Sequence, residues 1–542
     1  MQNACTFKNL FLHSNNDIEA ALNQVWPKRD SVVELSAFGK ELLQKCATVP
    51  IPEASEIRIE NFIKASSEFP LKVCGWVCVC ACALLYAGSN QIATLLLATD
   101  TCRVMSQPKE RYTEIAKQIA SAYPVIHERV LGLYLAFLEH KCKYGSNIER
   151  ALYDGMTLKA LVQRLLEKRC VSFVGPLDHY LLINGKTGLG KFYEVGTVDE
   201  ESPLILKDVL SYDEMKLSAF LSISSYTEFL NDGNRKNAGV FETDKSKIER
   251  EGVIIGIIGA RFQAREAMDW QDIIITREQN KKERGYGYAM QAAKNTTNPL
   301  VGYRRIWTSF YEQQDVLYEN VNTQNTPRFY HIPHTKFIFD NAMMKKRNAI
   351  SFDTLLLEAN ARGNIAGKKV YLHVVGIGLG AWRAVEHQGK IFLETFGERL
   401  QELLPCLPHI SVVHFSYFGM SSWANLEDGG VIASETHPDG GIKTFLSNRN
   451  PAQKLAPEFE NMLVVESYAW DGNALPGNEF WHGSLTSSSD PAAACSTLIT
   501  ELHNPHINTK MVNGANLHVA SDRYGVLHIS EYAKKVFMEK LE

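Results

Sequence analysis

The architecture is set by Val370-Tyr-Leu-His-Val-Val-Gly-Ile-Gly-Leu-Gly-Ala-Trp382, where a largely apolar run passes into three alternating glycines. The run predicts a buried strand, and the apolar spacing from Trp382 to Leu404 predicts a helix directly after the glycines. Glycine lets backbone N–H groups approach a phosphate with no Cβ in the way, and the N-terminus of a helix attracts an anion. Gly376, Gly378 and Gly380 are therefore predicted to bind a pyrophosphate; a tight strand-to-helix turn without a ligand is the alternative.

Further strands and helices lie on both sides of this unit. β-branched runs bounded by turn residues predict strands, and apolar residues three or four apart predict helices. Strands that alternate with helices predict an α/β domain with a largely parallel sheet, in which ligands bind beyond the carboxyl ends of the strands. The predicted strands are Tyr180–Ile183, Val253–Ile258, Ile273–Ile275, Val370–Val375, Ile410–Phe415 and Leu463–Ser467, and the predicted helices are Trp382–Leu404, Pro451–Phe459 and Pro491–His503.

The N-terminal third has a different pattern of apolar residues. From Asp17 to about Lys168, apolar residues recur at helical spacing, as at Ile59, Phe62 and Ile63, and glycine and proline are sparse. We therefore expect an all-α domain over residues 1–168 and the α/β domain over residues 169–542, with the boundary near 165–172. No motif in the helical part indicates chemistry.

Composition narrows the class of protein. The 542 residues carry a net charge of −4, which gives no electrostatic footprint for nucleic acid. The N-terminus shows no secretory signal, and the longest apolar run, Val73–Gly88, is shorter than the ~20 residues of a membrane helix, so no membrane span is expected. The 11 cysteines, an odd number, point to free thiols in a reducing compartment. These features favour a cytoplasmic protein.

Three apparent binding motifs fit simpler structures better. Gly185-Lys-Thr-Gly-Leu-Gly-Lys191 nearly matches a phosphate-binding loop, but Phe192 replaces the hydroxyl that would bind magnesium, and a hairpin turn fits the segment. Dinucleotide binding of the Rossmann type needs an acid ~20 residues after the glycines, and Glu394 falls inside the predicted helix instead. A cysteine cluster has no C-x2-C spacing, which indicates core packing rather than a metal site, so no metal or cofactor is expected. Its members are Cys74, Cys78, Cys80 and Cys82.

The strongest candidate site follows the last predicted strand, in Ala469-Trp-Asp-Gly-Asn-Ala-Leu-Pro-Gly-Asn-Glu-Phe-Trp481. Two carboxylates, Asp471 and Glu479, lie on one loop among aromatic residues, and loops of this kind usually contact a ligand or carry a catalytic group. Paired carboxylates suit cleavage of a glycosidic bond, because one stabilises positive charge on the sugar while the other manages the proton. The aromatic side chains could stack on adenine or pack in the core. Asn473, Gly477 and Asn478 are predicted to contact the ligand.

Two nearby segments add polar groups. Asp490 is predicted to cap a helix that begins at Pro491, and the hydroxyls of Ser487–Ser489 near this helix terminus, Ser488 and Ser489 in particular, suit an anion. Arg261, in Gly259-Ala-Arg-Phe262 after a predicted strand, could bind a phosphate with two nitrogens or form a structural salt bridge.

These motifs resemble a divergent macrodomain-like family that includes secreted bacterial effectors of the Legionella type, among them a ubiquitin ADP-ribosyl-arginine hydrolase. The similar segments are Ala469–Trp481, Ser488–Thr497, Val374–Trp382 and Gly259–Phe262, within a region of similarity from Val171 to Tyr532. The resemblance implies a mixed sheet between helices, an ADP-ribose cleft over the strand ends, and catalytic acids at Asp471, Glu479 and Asp490. It also implies secretion into a host cytosol as an alternative to a cytoplasmic location.

The resemblance favours a hydrolase that removes ADP-ribose from a modified protein, with ubiquitin as one candidate. Glu479 is one methylene longer than the aspartate expected in an arginine-directed hydrolase, and this leaves the cleaved bond open because ~1 Å of misplacement can cost ~100-fold in rate. Two alternatives stay open: a non-catalytic ADP-ribose reader, and an enzyme that acts on free ADP-ribose derivatives or NAD.

Overall fold

A computed structural model describes residues 34–69, 101–289, 296–324, 326–485 and 489–538. Its centre is a ten-stranded mixed sheet in the order β14-β15-β11-β10-β16-β6-β5-β1-β17-β18. The strands of this sheet are β1 (Tyr123–His127), β5 (Ser222–Glu228), β6 (Glu251–Ile257), β10 (Val370–Val374), β11 (Ile410–Phe415), β14 (Val431–Ala433), β15 (Gly441–Phe445), β16 (Leu463–Ala469), β17 (His518–Ser521) and β18 (Gly525–His528).

Three small sheets surround the large one. They are formed by β2 (Ser172–Val174), β3 (His179–Leu181) and β4 (Thr187–Leu189); by β7 (Ile274–Ile275), β9 (Ile338–Asp340) and β8 (Phe329–His331); and by β12 (Ser422–Trp423) with β13 (Leu426–Glu427). The described α-helices are α1 (Ala37–Cys46), α2 (Ile59–Glu68), α3 (Tyr112–Ala120), α4 (Glu128–Tyr144), α5 (Asn147–Tyr153), α6 (Leu158–Glu167), α7 (Tyr212–Ser218), α8 (Trp270–Ile273), α9 (Pro299–Phe310), α10 (Tyr318–Val321), α11 (Asn341–Ala366), α12 (Gln388–Leu403), α13 (Asp490–Ala494), α14 (Ile499–Leu502) and α15 (Ile529–Met538).

Five neighbouring strands, β15, β11, β10, β16 and β6, run parallel, so their carboxyl ends meet at one edge of the large sheet. Their side chains are buried because helices cover one face, and helices together with loop residues cover the other. Val374 and Val465 pack with Leu355 of α11 and Phe392 of α12 in one apolar cluster. On the other face, Tyr468 of β16 belongs to a second cluster that also contains side chains of α4 and α6. The α/β class predicted from the sequence is confirmed, and the carboxyl edge of the parallel strands is where the candidate residues gather.

Most predicted strands form close to their expected bounds. Ile410–Phe415 is a strand over those residues, and the strands at Val370 and Leu463 begin where predicted. Gly185 lies in the turn between the antiparallel strands β3 and β4, so the hairpin interpretation of the glycine-rich segment is confirmed. Among the described strands, Ile274–Ile275 pairs with β9 alone, in a small sheet.

The predicted helices differ more. The helix expected from Trp382 begins at Gln388, because the glycine segment before it turns irregularly, with Gly378 at φ +73°. The helix expected over Pro491–His503 divides into α13 and α14. The hydroxyl of Thr497 donates to the carbonyl of Ala493 at 2.8 Å, and such side-chain bonds compete with the helix. The segment at Pro451–Phe459 has only a 3₁₀ turn, Pro457–Phe459.

The all-α prediction for residues 1–168 is not confirmed. Tyr123–His127 forms a strand inside the large sheet, antiparallel to β5 and parallel to β17. Its five residues are followed at once by helix α4, so the apolar pattern of the strand merges with that of the helix. How the chain divides into independently folding units stays a prediction, although β1 joins residues from both sides of position 168 in one sheet.

Two features named from the sequence lie outside the described residues: the apolar run Val73–Gly88 with its four cysteines, and the hydroxyl of Ser488. In the described part of the chain, helices of sufficient length and apolar character to cross a bilayer do not occur.

Candidate active site

The loop after β16 carries two of the three predicted acids. Asp471 is the second residue after the strand, and Glu479 lies in a short 3₁₀ helix, Asn478–His482. Between them Gly477 adopts φ +113°, a conformation that favours glycine, and a Cβ there would lie 2.9 Å from Nε1 of Trp481. This sharp turn folds the loop back on itself, and both acidic side chains are half-buried.

Asp490 braces this loop. Its buried carboxyl accepts the backbone N–H of Gly477 at 2.9 Å and the backbone N–H of Asp471 at 3.3 Å. Helix α13 begins at Asp490 itself, and the residue before it, Ser489, makes no capping bond with its side chain and has φ +71°. The predicted role of Asp490 as a helix cap is therefore wrong, because its carboxyl is used across the loop. The structure brings all three predicted acids together.

Asn478 connects the acids to the small sheet. Its side-chain oxygen accepts the hydroxyl of Ser172 at 3.0 Å and the N–H of Phe173 at 2.8 Å, while its side-chain nitrogen donates to Asp471 at 2.5 Å and to the carbonyl of Phe173 at 3.3 Å. Both donors and both acceptor positions of the amide are thus in use. Asn478 holds Asp471 in place, and in this conformation it has no group left for the predicted contact with a ligand.

Burial changes the protonation of the three carboxyls. Desolvation, together with the negative charge of Asp471, raises the pKa of Glu479 to about 7. Desolvation also raises the pKa of Asp471, against the stabilising influence of the Asn478 amide and the Arg261 charge. The pKa of Asp490 lies well above its ordinary value because of desolvation and the nearby charge of Asp471. Oε2 of Glu479 is buried and has no donor among the described residues. The neighbouring Asp471 carboxylate can accept a hydrogen bond only from the protonated form of Glu479, so in the ionised form of Glu479 this oxygen is available to a ligand or water.

Arg261 lies near enough to Asp471 for its charge to favour the ionised carboxyl, and one of its nitrogens has no acceptor among the described residues. Its Nη2 donates to Asp178 at 2.6 Å and to Gln263 at 2.9 Å, whereas its Nη1 is buried without an acceptor in the described part of the chain. A buried guanidinium N–H without an acceptor is costly, and a ligand oxygen would satisfy it. The predicted salt bridge is present, and it leaves one nitrogen rather than two for a ligand.

The glycine loop lies beside Arg261. A Cβ on Gly259 would come within 2.6 Å of Cα of Gly378, so the two backbones pass in close contact. Within the described residues, the backbone N–H groups of Gly376, Gly378 and Gly380 donate to no acceptor. The helix N-terminus predicted behind them is absent, since α12 begins only at Gln388. The loop therefore offers backbone donors without a helix dipole.

Comparisons with known proteins identify the family of the chain. The family model described as "ADP-ribosylhydrolase MavL-like" matches residues 86–535. The chain belongs to the MavL-like ADP-ribosylhydrolase family. Two similar proteins of Drosophila melanogaster are named ADP-ribosylarginine hydrolase CG2909, 47% identical over 95% of this chain and 97% of the relative, and ADP-ribosylarginine hydrolase CG3568, 48% identical over 95% and 96%. The prediction that the protein is an ADP-ribosyl hydrolase is confirmed.

Several residues of this ADP-ribosylhydrolase that were predicted to contact the ligand are buried in the protein instead. Asn473 is buried and its side-chain nitrogen faces the sulfur of Met268 at 3.5 Å. The aromatic residues in and next to the loop that carries Asp471 and Glu479 are buried in the core and offer no exposed surface for stacking. They are Tyr468 at the end of β16, and Trp470, Phe480 and Trp481 in the loop. Core packing is the more common position of such side chains. The described residues contain no group of three or more His, Cys, Asp or Glu side chains that could hold a metal ion.

One functional neighbour of the site was not predicted from the sequence. Asp178, at a tight turn between β2 and β3 with φ +52°, accepts bonds from Arg261 and from the hydroxyl of Tyr212. Asp178 belongs to an ordinary turn sequence, Gly175-Pro-Leu-Asp178, which gives no sign of a distant arginine partner. Only the fold brings the two residues together.

Proposed function

We propose that this ADP-ribosylhydrolase cleaves the bond between ADP-ribose and an arginine side chain of a modified protein. The observation that carries the proposal is the cluster of half-buried Asp471 and Glu479 with buried Asp490 at the carboxyl edge of the parallel strands. Nη1 of Arg261, which has no acceptor among the described residues, adds a donor for the ligand. The names of the two relatives support arginine as the modified residue.

Asp471 and Glu479 have different surroundings and therefore different roles in the reaction. Desolvation raises the pKa of Asp471, but the Asn478 amide and the Arg261 charge oppose this rise and favour the ionised form, in which Asp471 stabilises the positive charge that develops on the anomeric carbon. Glu479 has a pKa of about 7 and an unpartnered oxygen, so it can take a proton from water near neutral pH. Its higher pKa follows from burial and from the neighbouring negative charge.

The bonds and protons balance without a further reactant. The bond between the anomeric carbon and the arginine nitrogen breaks, and its electron pair leaves with the guanidine. Water forms the new bond to the anomeric carbon and gives one proton to Glu479. That proton then passes to the guanidine, which leaves as the guanidinium of unmodified arginine, and Glu479 returns to its carboxylate form.

Binding of ADP-ribose uses the other polar groups of the cleft. The backbone N–H groups of Gly376, Gly378 and Gly380 suit the pyrophosphate because they form no bonds among the described residues. Nη1 of Arg261 supplies one charge-assisted hydrogen bond to a ligand oxygen. Cleft binding of this kind, a macrodomain-like relationship and ubiquitin as the modified protein all stay part of the proposal.

A peptide with a single ADP-ribosylated arginine tests the proposal. We expect mass spectrometry to show loss of the whole adduct and recovery of unmodified arginine, together with free ADP-ribose. A matched peptide with ADP-ribose on serine should stay intact. Cleavage of the serine adduct with an untouched arginine adduct would overturn arginine as the target, and stable binding of both peptides without cleavage would favour the reader function.

A further inference from the structure

Three large hydrophobic side chains are exposed to solvent on or next to the small sheet β2-β3-β4, which borders Asp471 and Glu479. Leu177 is 68% exposed, Leu189 58% and Tyr193 57%. We call these three side chains the outer patch. Single exposed apolar residues are common on protein surfaces, but a group of them beside a cleft is typical of a binding surface.

Asp178 is the point around which the outer patch is grouped. Leu177 precedes it in the β2–β3 turn, and the N–H of Gly190, next to Leu189, donates to the carbonyl of Asp178 at 3.2 Å. The ring of Tyr193 lies 4.7 Å from the ring of Tyr212, whose hydroxyl donates to the Asp178 carboxyl.

The direction of Leu189 follows from the pleat of its strand. A Cβ on Gly188 would lie within 3 Å of the ring of Tyr180, so the face shared by these two residues is the packed one. Successive side chains alternate between faces, and Leu189 therefore projects from the opposite face. Strand β4 is also an edge strand, with β3 as its one neighbour in the small sheet. An edge strand leaves backbone groups available to another chain.

The outer patch is firmly joined to the acids. The carboxyl of Asp178 binds Arg261 at 2.6 Å, and strand β2 fixes Asn478 through Ser172 and Phe173. A molecule that rests on this sheet is therefore held at a defined position relative to Asp471, the partner of Asn478.

We propose that the outer patch is the docking surface for the protein that carries the ADP-ribosyl group. This inference rests on the proposed function. When the nucleotide part of the substrate enters the cleft, the attached protein must lie against the surface that surrounds the opening. Lys186 is exposed in the β3–β4 turn of the same small sheet and forms no ion pair with a described residue, whereas Lys191, next to the patch, lies 3.8 Å from Glu201. The matching partner is thus a folded protein with an apolar surface and acidic residues beside its modified side chain.

The test compares a protein substrate with a small ligand. The protein substrate is a cell lysate ADP-ribosylated with radiolabelled NAD by an arginine-specific transferase, and the small ligand is free ADP-ribose, measured by calorimetry. For Leu177→Ser with Leu189→Ser, we expect release of label from the proteins to slow by about tenfold or more at subsaturating substrate. Binding of ADP-ribose should stay within about twofold of the wild type. The control is Ile365→Ser with Val431→Ser, at side chains that are 70% and 58% exposed elsewhere.

Three results would overturn the docking surface. The first is an unchanged rate of label release from the proteins. The second is an equal loss of label release and of ADP-ribose binding, which would make the two leucines part of the cleft. The third is a dimer of the wild type that the double variant loses without any change in rate, which would assign the patch to a second copy of the chain.

Failure of the arginine proposal gives a different result. The wild type would then leave the arginine-linked label in place but would still release ADP-ribose from proteins modified at another residue. In that case the leucine variants are compared with the wild type on those proteins, where the same tenfold criterion applies.

Discussion

One buried carboxyl, that of Asp490, accepts the backbone N–H of Gly477 across 13 residues of chain and thereby fixes the loop that carries the other two acids. Asp490→Asn keeps one acceptor oxygen and places an amide N–H₂ where the second oxygen stood. We expect turnover to fall by about tenfold or more, because small displacements of catalytic groups are costly. The measurement is the initial rate of ADP-ribose release, with Asp244→Asn at an exposed turn as the matched control. Full activity of Asp490→Asn in a folded protein would contradict the bracing role.

Asp471→Asn and Glu479→Gln should each reduce turnover by about 100-fold or more, the usual scale for groups that handle charge or protons. Both replacements preserve the shape of the side chain and keep one acceptor oxygen, which can still accept the Asn478 amide at Asp471, so binding of free ADP-ribose should change little. Single-turnover rates and calorimetry measure the two effects separately. Full hydrolase activity in both variants would refute the assignment of these residues.

Glu479→Asp examines the length of this side chain. The shorter carboxylate recedes by about one methylene from its present position, so we expect at least a tenfold loss of turnover with little change in ADP-ribose affinity. Single-turnover rates on the modified peptide give the answer. Activity at or above that of the wild type would show that the glutamate is not adapted to this cleft.

The dependence of rate on pH should follow Glu479. Its pKa is raised to about 7, and only its ionised form can accept a proton from water. The value of kcat/KM should therefore rise as the pH increases through about 7 and level off above it, and Glu479→Gln should remove this rise. A rate that falls over the same range would make Glu479 the proton donor instead.

Arg261→Lys should weaken binding of ADP-ribose by about tenfold, since it removes the unpartnered Nη1 but keeps a positive charge near Asp178. Arg265→Lys is the matched control, because Arg265 is exposed and its side chain lies over the ring of Phe337. Calorimetry with ADP-ribose gives both affinities. Equal affinity in the wild type and Arg261→Lys would show that the free nitrogen meets water rather than the ligand.

A second buried acid predicts an effect on stability. Burial raises the pKa of Glu466 in β16 from 4.5 to about 8, so the folded protein holds a proton there that the unfolded chain releases. As pH rises between these two values, the free energy of unfolding falls by about 1.4 kcal/mol for each pH unit. Glu466→Gln should escape this loss and be more stable than the wild type at pH 8, with a smaller difference at pH 5. Urea unfolding at both pH values measures the difference, and a constant gap would contradict it.

The sequence predicts features that depend on local patterns. The strand at Val370, the glycine loop after it and the acidic loop after β16 are each contiguous, so strand periodicity and turn residues reveal them. Local patterns do not reveal the contacts between distant segments. Examples are the ion pair of Arg261 with Asp178 and the hydrogen bonds of Asp490 across the loop. They join segments far apart in the chain, and one sequence contains no signal for which polar side chains will meet.

Strand β1 has a consequence for the order in which the chain can fold. It pairs with β17, since Val125 lies opposite His518. These two partners are separated by about 400 residues, and ribosomes add roughly 5–20 residues per second. One side of β1 therefore waits roughly 20 to 80 seconds for its partner during synthesis. During this interval one edge of the apolar strand β1 has no partner, and an unpaired strand edge can pair with another chain.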